Sequence, residues 1–238
     1  MILFISPAKT FRVSPIKPTD KPIFLSEAHY LVQCLQKISL KALKTNMKLS
    51  DKIAEQTRLY YQNFDLSTAP AIYSYFGHQF KHIAPDTLDN DTISYMNQHL
   101  YILSGLYGLL RPLDGLSFYR LEMQDQTITN LYTFWSDKII NHINMHHKNQ
   151  LLINLASHEY GQLIEHLDNV YTILFYQIKH EKTSIHSMEA KKLRGLMTRH
   201  ILTEKIDDLK TLKSVVIEGY TYNDTLSNDK TIVYTKVV

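Results

Sequence analysis

A single cysteine, Cys34, stands in 238 residues, so no disulfide can form within the chain. A lone thiol fits a reducing compartment. No apolar run approaches the length that spans a bilayer. The opening MILFISPAK lacks the basic lead-in and small-residue cleavage site of a secretion signal, and reads instead as a first strand. Together these absences predict a cytoplasmic protein with no membrane contact. Metal motifs are missing as well: there is no HExxH, paired CxxC or calcium loop. Two histidine pairs at helical spacing, His78 with His82 and His142 with His146, are what twelve histidines produce by coincidence. No metal site and no cofactor is expected, since phosphate-loop and dinucleotide glycine motifs are absent too. There is no Ser-His-Asp order, internal repeat or low-complexity linker.

What the chain does have is uneven charge. The formal net charge of +3 is small, but residues 1–60 carry ten Lys or Arg against four Asp or Glu. Residues 61–130 reverse this, three against seven. A basic N-terminal third suits either a phosphate-binding face or a solvated helical surface.

The densest chemistry lies in LSGLYGLLRPLDGLSFYRLEM, Leu103–Met123. Arg111, Arg120, Asp114, Glu122, Tyr107 and Tyr119 sit there among Gly105, Gly108 and Pro112, which make a structural turn. Glycine permits backbone angles closed to other residues, and Pro112 pushes Arg111 out of the helical region. Guanidinium forks on fixed turns suit phosphate or carboxylate. Arg111 and Arg120 either meet a ligand or pair with Asp114 and Glu122 to hold the loop. Gly105–Gly108 has one residue more than the glycine hairpins that grip DNA backbone.

The pattern of apolar residues predicts a mixed α/β fold in one domain over 1–238, a mixed or antiparallel central sheet surrounded by helices. Strands are expected at 2–6, 100–104, 151–156, 170–180, 215–222 and 231–237, the last two as an antiparallel pair. Helices are expected from Ser26 towards Leu40, at 51–64, 134–146, 157–167 and 187–202, within 70–80, and from Leu88 into the strand near Leu100. Residues 11–24, with Pro15, Pro18 and Pro22, should be extended and irregular. Lys9, after Pro7 at the end of the first strand, occupies a position where α/β proteins expose ligand-binding side chains. Glu159 follows a strand near a helix start, as a cap or as a carboxylate facing a cleft. Lys191, Lys192 and Arg194 make a basic helix edge, phosphate-reading or merely solvated, with Arg199 two turns on. Tyr107, Tyr119 and Tyr160 can stack on a base or pack.

Seven blocks in order carry a resemblance over nearly the whole chain. They are SPAKT at 6–10, LSGLYGLLRPLD at 103–114, YRLEM at 119–123, FW.DKI at 134–139, NLAS.EY at 154–160, AKK.RGLM at 190–197 and GY at 219–220. The set resembles the YaaA family of peroxide-stress proteins. That resemblance implies a positively charged cleft with a hairpin-like DNA-binding element, duplex DNA as partner, and a role in limiting free intracellular iron so that peroxide makes less hydroxyl radical. The chain departs from the family at Phe76–Phe80, where an acidic GDVY-like block is usual, and at His158, Leu193 and Lys236. Lys9, Arg111, Arg120, Lys191, Lys192 and Arg194 are the expected anion-binding residues. The alternative is an enzyme acting on a nucleotide or other small anionic ligand, with Glu122 or Glu159 as acid–base.

Overall fold

The computed structural model describes residues 1–64, 69–180 and 182–238. In chain order the elements are β1 (Ile2–Ile5), α1 (Leu25–Gln36), α2 (Leu40–Asn46), α3 (Asp51–Gln62), β2 (Ala69–Pro70), α4 (Ala71–Ser74), α5 (His78–Ile83) and α6 (Asn90–His99). There follow β3 (Leu100–Ser104), β4 (Gly108–Leu110), β5 (Gly115–Leu116), α7 (Leu131–His147), β6 (Leu152–Asn154) and α8 (His158–Gly161). The chain closes with β7 (Val170–Lys179), β8 (Lys182–Ser184), α9 (Ser187–Thr203), α10 (Leu209–Ser214), β9 (Thr221–Tyr222) and β10 (Thr231–Val237).

Among the described residues eight strands form one mixed sheet in the order β4-β3-β1-β6-β7-β10-β9, with β8 also pairing β7. Its centre is parallel: β1 lies between β3 and β6, and β7 between β6 and β10. The margins β4, β8 and β9 are antiparallel. All four residues of β1 and all five of β3 are buried, which is why these strands are continuous apolar runs rather than alternating ones. β7 is buried at Val170, Ile173 and Phe175. β10 pairs antiparallel with β9 as expected, although the strand expected over 215–222 is only Thr221–Tyr222. A second, two-stranded sheet joins β2 to β5. No helix among the described residues is long and apolar enough to cross a membrane.

The turn from β3 to β4 is Gly105–Leu106–Tyr107, and its residues are buried. Gly108 has φ +68°, and a Cβ there would stand 2.6 Å from the Trp135 ring. Trp135, fully buried on α7, donates its indole N–H to the Gly105 carbonyl at 2.9 Å. The GLYG stretch is thus a sheet hairpin clamped on α7, and its Tyr107 N–H donates to Ser104 Oγ at 3.0 Å. Asp114, also buried, accepts from the Arg111 backbone N–H at 2.7 Å and from its guanidinium at 2.9 and 3.1 Å. The Pro112 carbonyl receives the Ile72 N–H at 2.9 Å, tying the turn to α4.

Residues 11–24 carry no helix or strand, as their prolines require, but are stitched down by bridges from Phe11 to Tyr75 and Asp20 to Asp114. The Tyr75 bridge matters for the site. It interrupts the helix expected over 70–80, leaving α4 and α5 on either side of Tyr75–Gly77.

Candidate functional site

Parallel strands deliver their loops to one edge of a sheet, the edge at their carboxyl ends. β1 ends in Ser6–Thr10 and its neighbour β6 leads to Ser157–Tyr160. The two loops are tied together, the Ser157 N–H donating to Ser6 Oγ at 2.7 Å and Ser6 Oγ–H to Ser157 Oγ at 3.1 Å. Here a recess of about 290 Å³ opens, lined by these loops, by Gly77–Phe80, by Tyr119–Glu122 and by Lys191 and Arg194 of α9. The volume is at the small end of ligand pockets, which run from roughly 300 to 1,000 Å³.

The fourth wall depends on α9 lying against α5. A Cβ on Gly195 would come within 2.3 Å of the Gln79 carbonyl oxygen and 2.9 Å of His82 Cβ, so only glycine lets the two helices approach this closely. Glycine inside a helix costs about 1 kcal/mol relative to alanine, and the close packing is its compensation. Arg199, one turn further along, donates to the Ile83 and Ala84 carbonyls at 2.7 and 3.1 Å and so caps the carboxyl end of α5.

Four basic side chains therefore meet two carboxylates. Glu122 is engaged by Lys9 at 2.5 Å and by Arg120 at 3.2 Å. Lys191 and Arg194 carry no ion pair among the described residues. Burial lowers the pKa of Arg194, since no carboxylate offsets the loss of water. Burial pushes the Glu159 carboxyl up from its ordinary value, and the nearby Glu122 adds to the rise, against a backbone N–H from Gln124 at 3.3 Å.

Three donors on this lining are buried without a partner among the described residues: Gln79 Nε2, Arg120 Nε and Arg194 Nε. An unsatisfied buried donor costs about 1–3 kcal/mol. Three on a single recess point to a ligand that supplies acceptors.

Tyr119, 5% exposed, forms part of the wall. Its hydroxyl lies 2.7 Å from both the Tyr75 hydroxyl and Ser104 Oγ. Burial raises its pKa to about 12, so it stays neutral. Tyr160 also lines the recess, whereas Tyr107 packs beneath the hairpin with its hydroxyl on the Ser117 backbone.

The structure brings Lys9, Arg120, Glu122, Glu159, Lys191 and Arg194 together. It leaves out Arg111 and Lys192. Arg111 is consumed by Asp114, with Asp20 at 4.0 Å and the Lys21 carbonyl at 3.3 Å. Lys192 leans the other way round α9 to Glu218 at 3.0 Å. Gly105, Gly108 and Pro112 build the turn, as expected, away from the lining. Of the ten basic residues in 1–60, Lys9 alone reaches the recess. Missed from the sequence were Gln79, His78 and the paired serines. The departure at Phe76–Phe80 marked the place, but nothing in the spacing linked Gln79 to residue 194. Among the described residues no three His, Cys, Asp or Glu side chains are grouped to hold a metal ion.

Comparison with known proteins agrees with the seven blocks. Residues 1–226 match the family model described as peroxide stress protein YaaA. A UPF0246 protein of Finegoldia magna is 38% identical over 246 residues, covering 99% of this chain and 98% of its own. One from Crocosphaera subtropica is 38% identical over 250 residues, and one from Francisella tularensis subsp. holarctica 37% over 254. These cover 99% of this chain and all of their own. The family's name ties its members to peroxide stress, and on both the family match and the full-length identities this chain belongs to the YaaA family of peroxide stress proteins.

Proposed function

We propose that this chain protects cells under peroxide stress by binding DNA, a backbone phosphate being received by Lys9, Arg120, Lys191 and Arg194, and that free intracellular iron is limited in the same response. One observation carries this reading: four basic side chains from three segments distant in sequence line one recess, and two of them have no ion-pair partner among the described residues. Phosphate is the anion that multiple N–H donors and an ammonium fit. A duplex cannot enter 290 Å³, because its major groove alone is about 12 Å wide. Contact is therefore with one phosphate group at a time, the rest of the duplex lying across the mouth.

Binding to phosphates releases counterions, so affinity should fall steeply with salt. Fluorescence anisotropy of a labelled duplex between about 50 and 200 mM salt is expected to show that fall. Lys191→Ala should weaken binding to all sequences alike and reduce the salt slope by about one. Cells carrying that variant should hold more chelatable iron after peroxide than cells with the wild type. A salt-independent affinity, or a Lys191→Ala protein binding as tightly as the wild type, contradicts the proposal. Equal iron in the two strains contradicts its second half.

A further inference from the structure

The unpartnered donors ask for more than a passing contact with a polymer. Gln79 is 6% exposed and its amide nitrogen has no partner, although the side chain forms part of the recess lining. Arg194 lies beside it across the α5–α9 contact at Gly195, and its Nε and that of Arg120 are buried and unbonded as well. A surface built to meet the outside of a duplex has no need to bury donors. These three are suited to a group that goes in.

The two carboxylates restrict what that group is attached to. Glu122 is occupied by Lys9 and Arg120, whereas Glu159 accepts a backbone N–H from Gln124 and makes no ion pair among the described residues, the Lys9 charge reaching it only from beyond ion-pair distance. A bare anion would face Glu159 with nothing to offer it. A ligand carrying hydroxyl or amino groups next to its anionic group would satisfy both ends of the recess. At about 290 Å³ there is room for one such small molecule.

We propose that the recess is a binding site for a small phosphomonoester with a hydroxyl-bearing body, a sugar phosphate or a nucleoside monophosphate, whose phosphate is held by Gln79, Arg120 and Arg194 with Lys191 at the rim. Three or more N–H donors match the three free oxygens of a phosphomonoester better than the two of a carboxylate. Glu159 accepts a hydroxyl of the body. This inference rests on reading the recess as an anion site, and it adds a free ligand to the polymer phosphate proposed above.

Isothermal titration of the full chain with inorganic phosphate, ribose 5-phosphate, a nucleoside 5′-monophosphate and propionate tests it. Ribose 5-phosphate or the nucleotide is expected to bind with one-to-one stoichiometry and at least tenfold more tightly than inorganic phosphate, while propionate gives no saturable heat. Gln79→Ala should weaken this binding about tenfold and Arg194→Gln more. Because a substitution at Gln79 or Arg194 can disturb α5–α9 packing, Lys191→Ala, at an exposed position, is the second variant and should weaken binding about threefold. No saturable heat from either phosphomonoester, propionate binding as well as they do, or affinity unchanged in both Gln79→Ala and Lys191→Ala overturns the inference. Duplex binding in a protein that ignores both phosphomonoesters would remove this ligand and leave the DNA reading in place. The converse result would do the opposite.

Discussion

Arg111 and Arg120 are nine positions apart in one glycine-rich stretch, yet their surroundings assign them different work. Arg111 spends its donors on Asp114, whose carboxyl burial pushes up to about 6 in spite of them. Arg120 pairs with Glu122 on the recess lining, and its buried Nε has no partner among the described residues. Sequence alone could not separate the two, because each has a carboxylate two or three positions on. The deciding fact is that the side chain of Asp114 is completely buried. Arg111→Ala is therefore expected to cost about 1.5–3 kcal/mol of stability by urea unfolding, with duplex affinity essentially unchanged. The sign of its pH dependence follows from Asp114. Folded Asp114 holds its proton to higher pH than the unfolded chain, whose value is 3.8, so its contribution to stability falls as pH rises from 3.8 towards 6. Removing the arginine raises the folded value further. The loss caused by Arg111→Ala should thus be largest above pH 6 and smaller near pH 4. A loss of DNA binding with stability intact would return Arg111 to the binding residues.

Among the elements, α3, α7, β7, α9 and β10 were legible from their apolar pattern and β1 from its short continuous apolar run. The strand expected over 215–222 shrinks to the two residues of β9. Several short elements were not legible. α2 and α10 have seven and six residues, too few for a period to register, and β4 and β8 have three each. The helix expected over 157–167 reduces to the four residues of α8, followed by i→i−3 bonds at Leu163, Ile164 and Leu167. Gly161 there presses on the Asn154 side chain, to which a Cβ would come within 2.6 Å. α5 against α9 is the contact the site depends on most. Gly195→Ala gains helix propensity, about 1 kcal/mol, but drives a methyl into the Gln79 carbonyl, a backbone atom that cannot swing aside. Separating the helices should cost more than it gains, for a net loss of about 1–2 kcal/mol in urea unfolding. Phosphomonoester binding should weaken with it, since Gln79 and Arg194 sit on opposite sides of the opened seam. A stabilised Gly195→Ala protein would mean the helices are not held at this distance.

For the molecule as a whole, the mixed sheet explains why blocks so far apart in sequence share one recess. β1 and β6 are parallel neighbours, so the segments after them emerge side by side, and the β3–β4 hairpin is turned so that Tyr119–Glu122 returns beside them. The sequence carried the identity of six of these residues but not the neighbourhood, because strand order is decided by packing that spans the chain. The proposed DNA binding and the proposed small-phosphate binding both require that neighbourhood to accept an anion. Crystals soaked in tungstate, an electron-dense tetrahedral stand-in for phosphate, measure this directly. Anomalous density between Gln79, Arg194 and Lys191 is the expected result. Tungstate bound only along the exposed lysines of α2 and α3, with none in the recess, would contradict it.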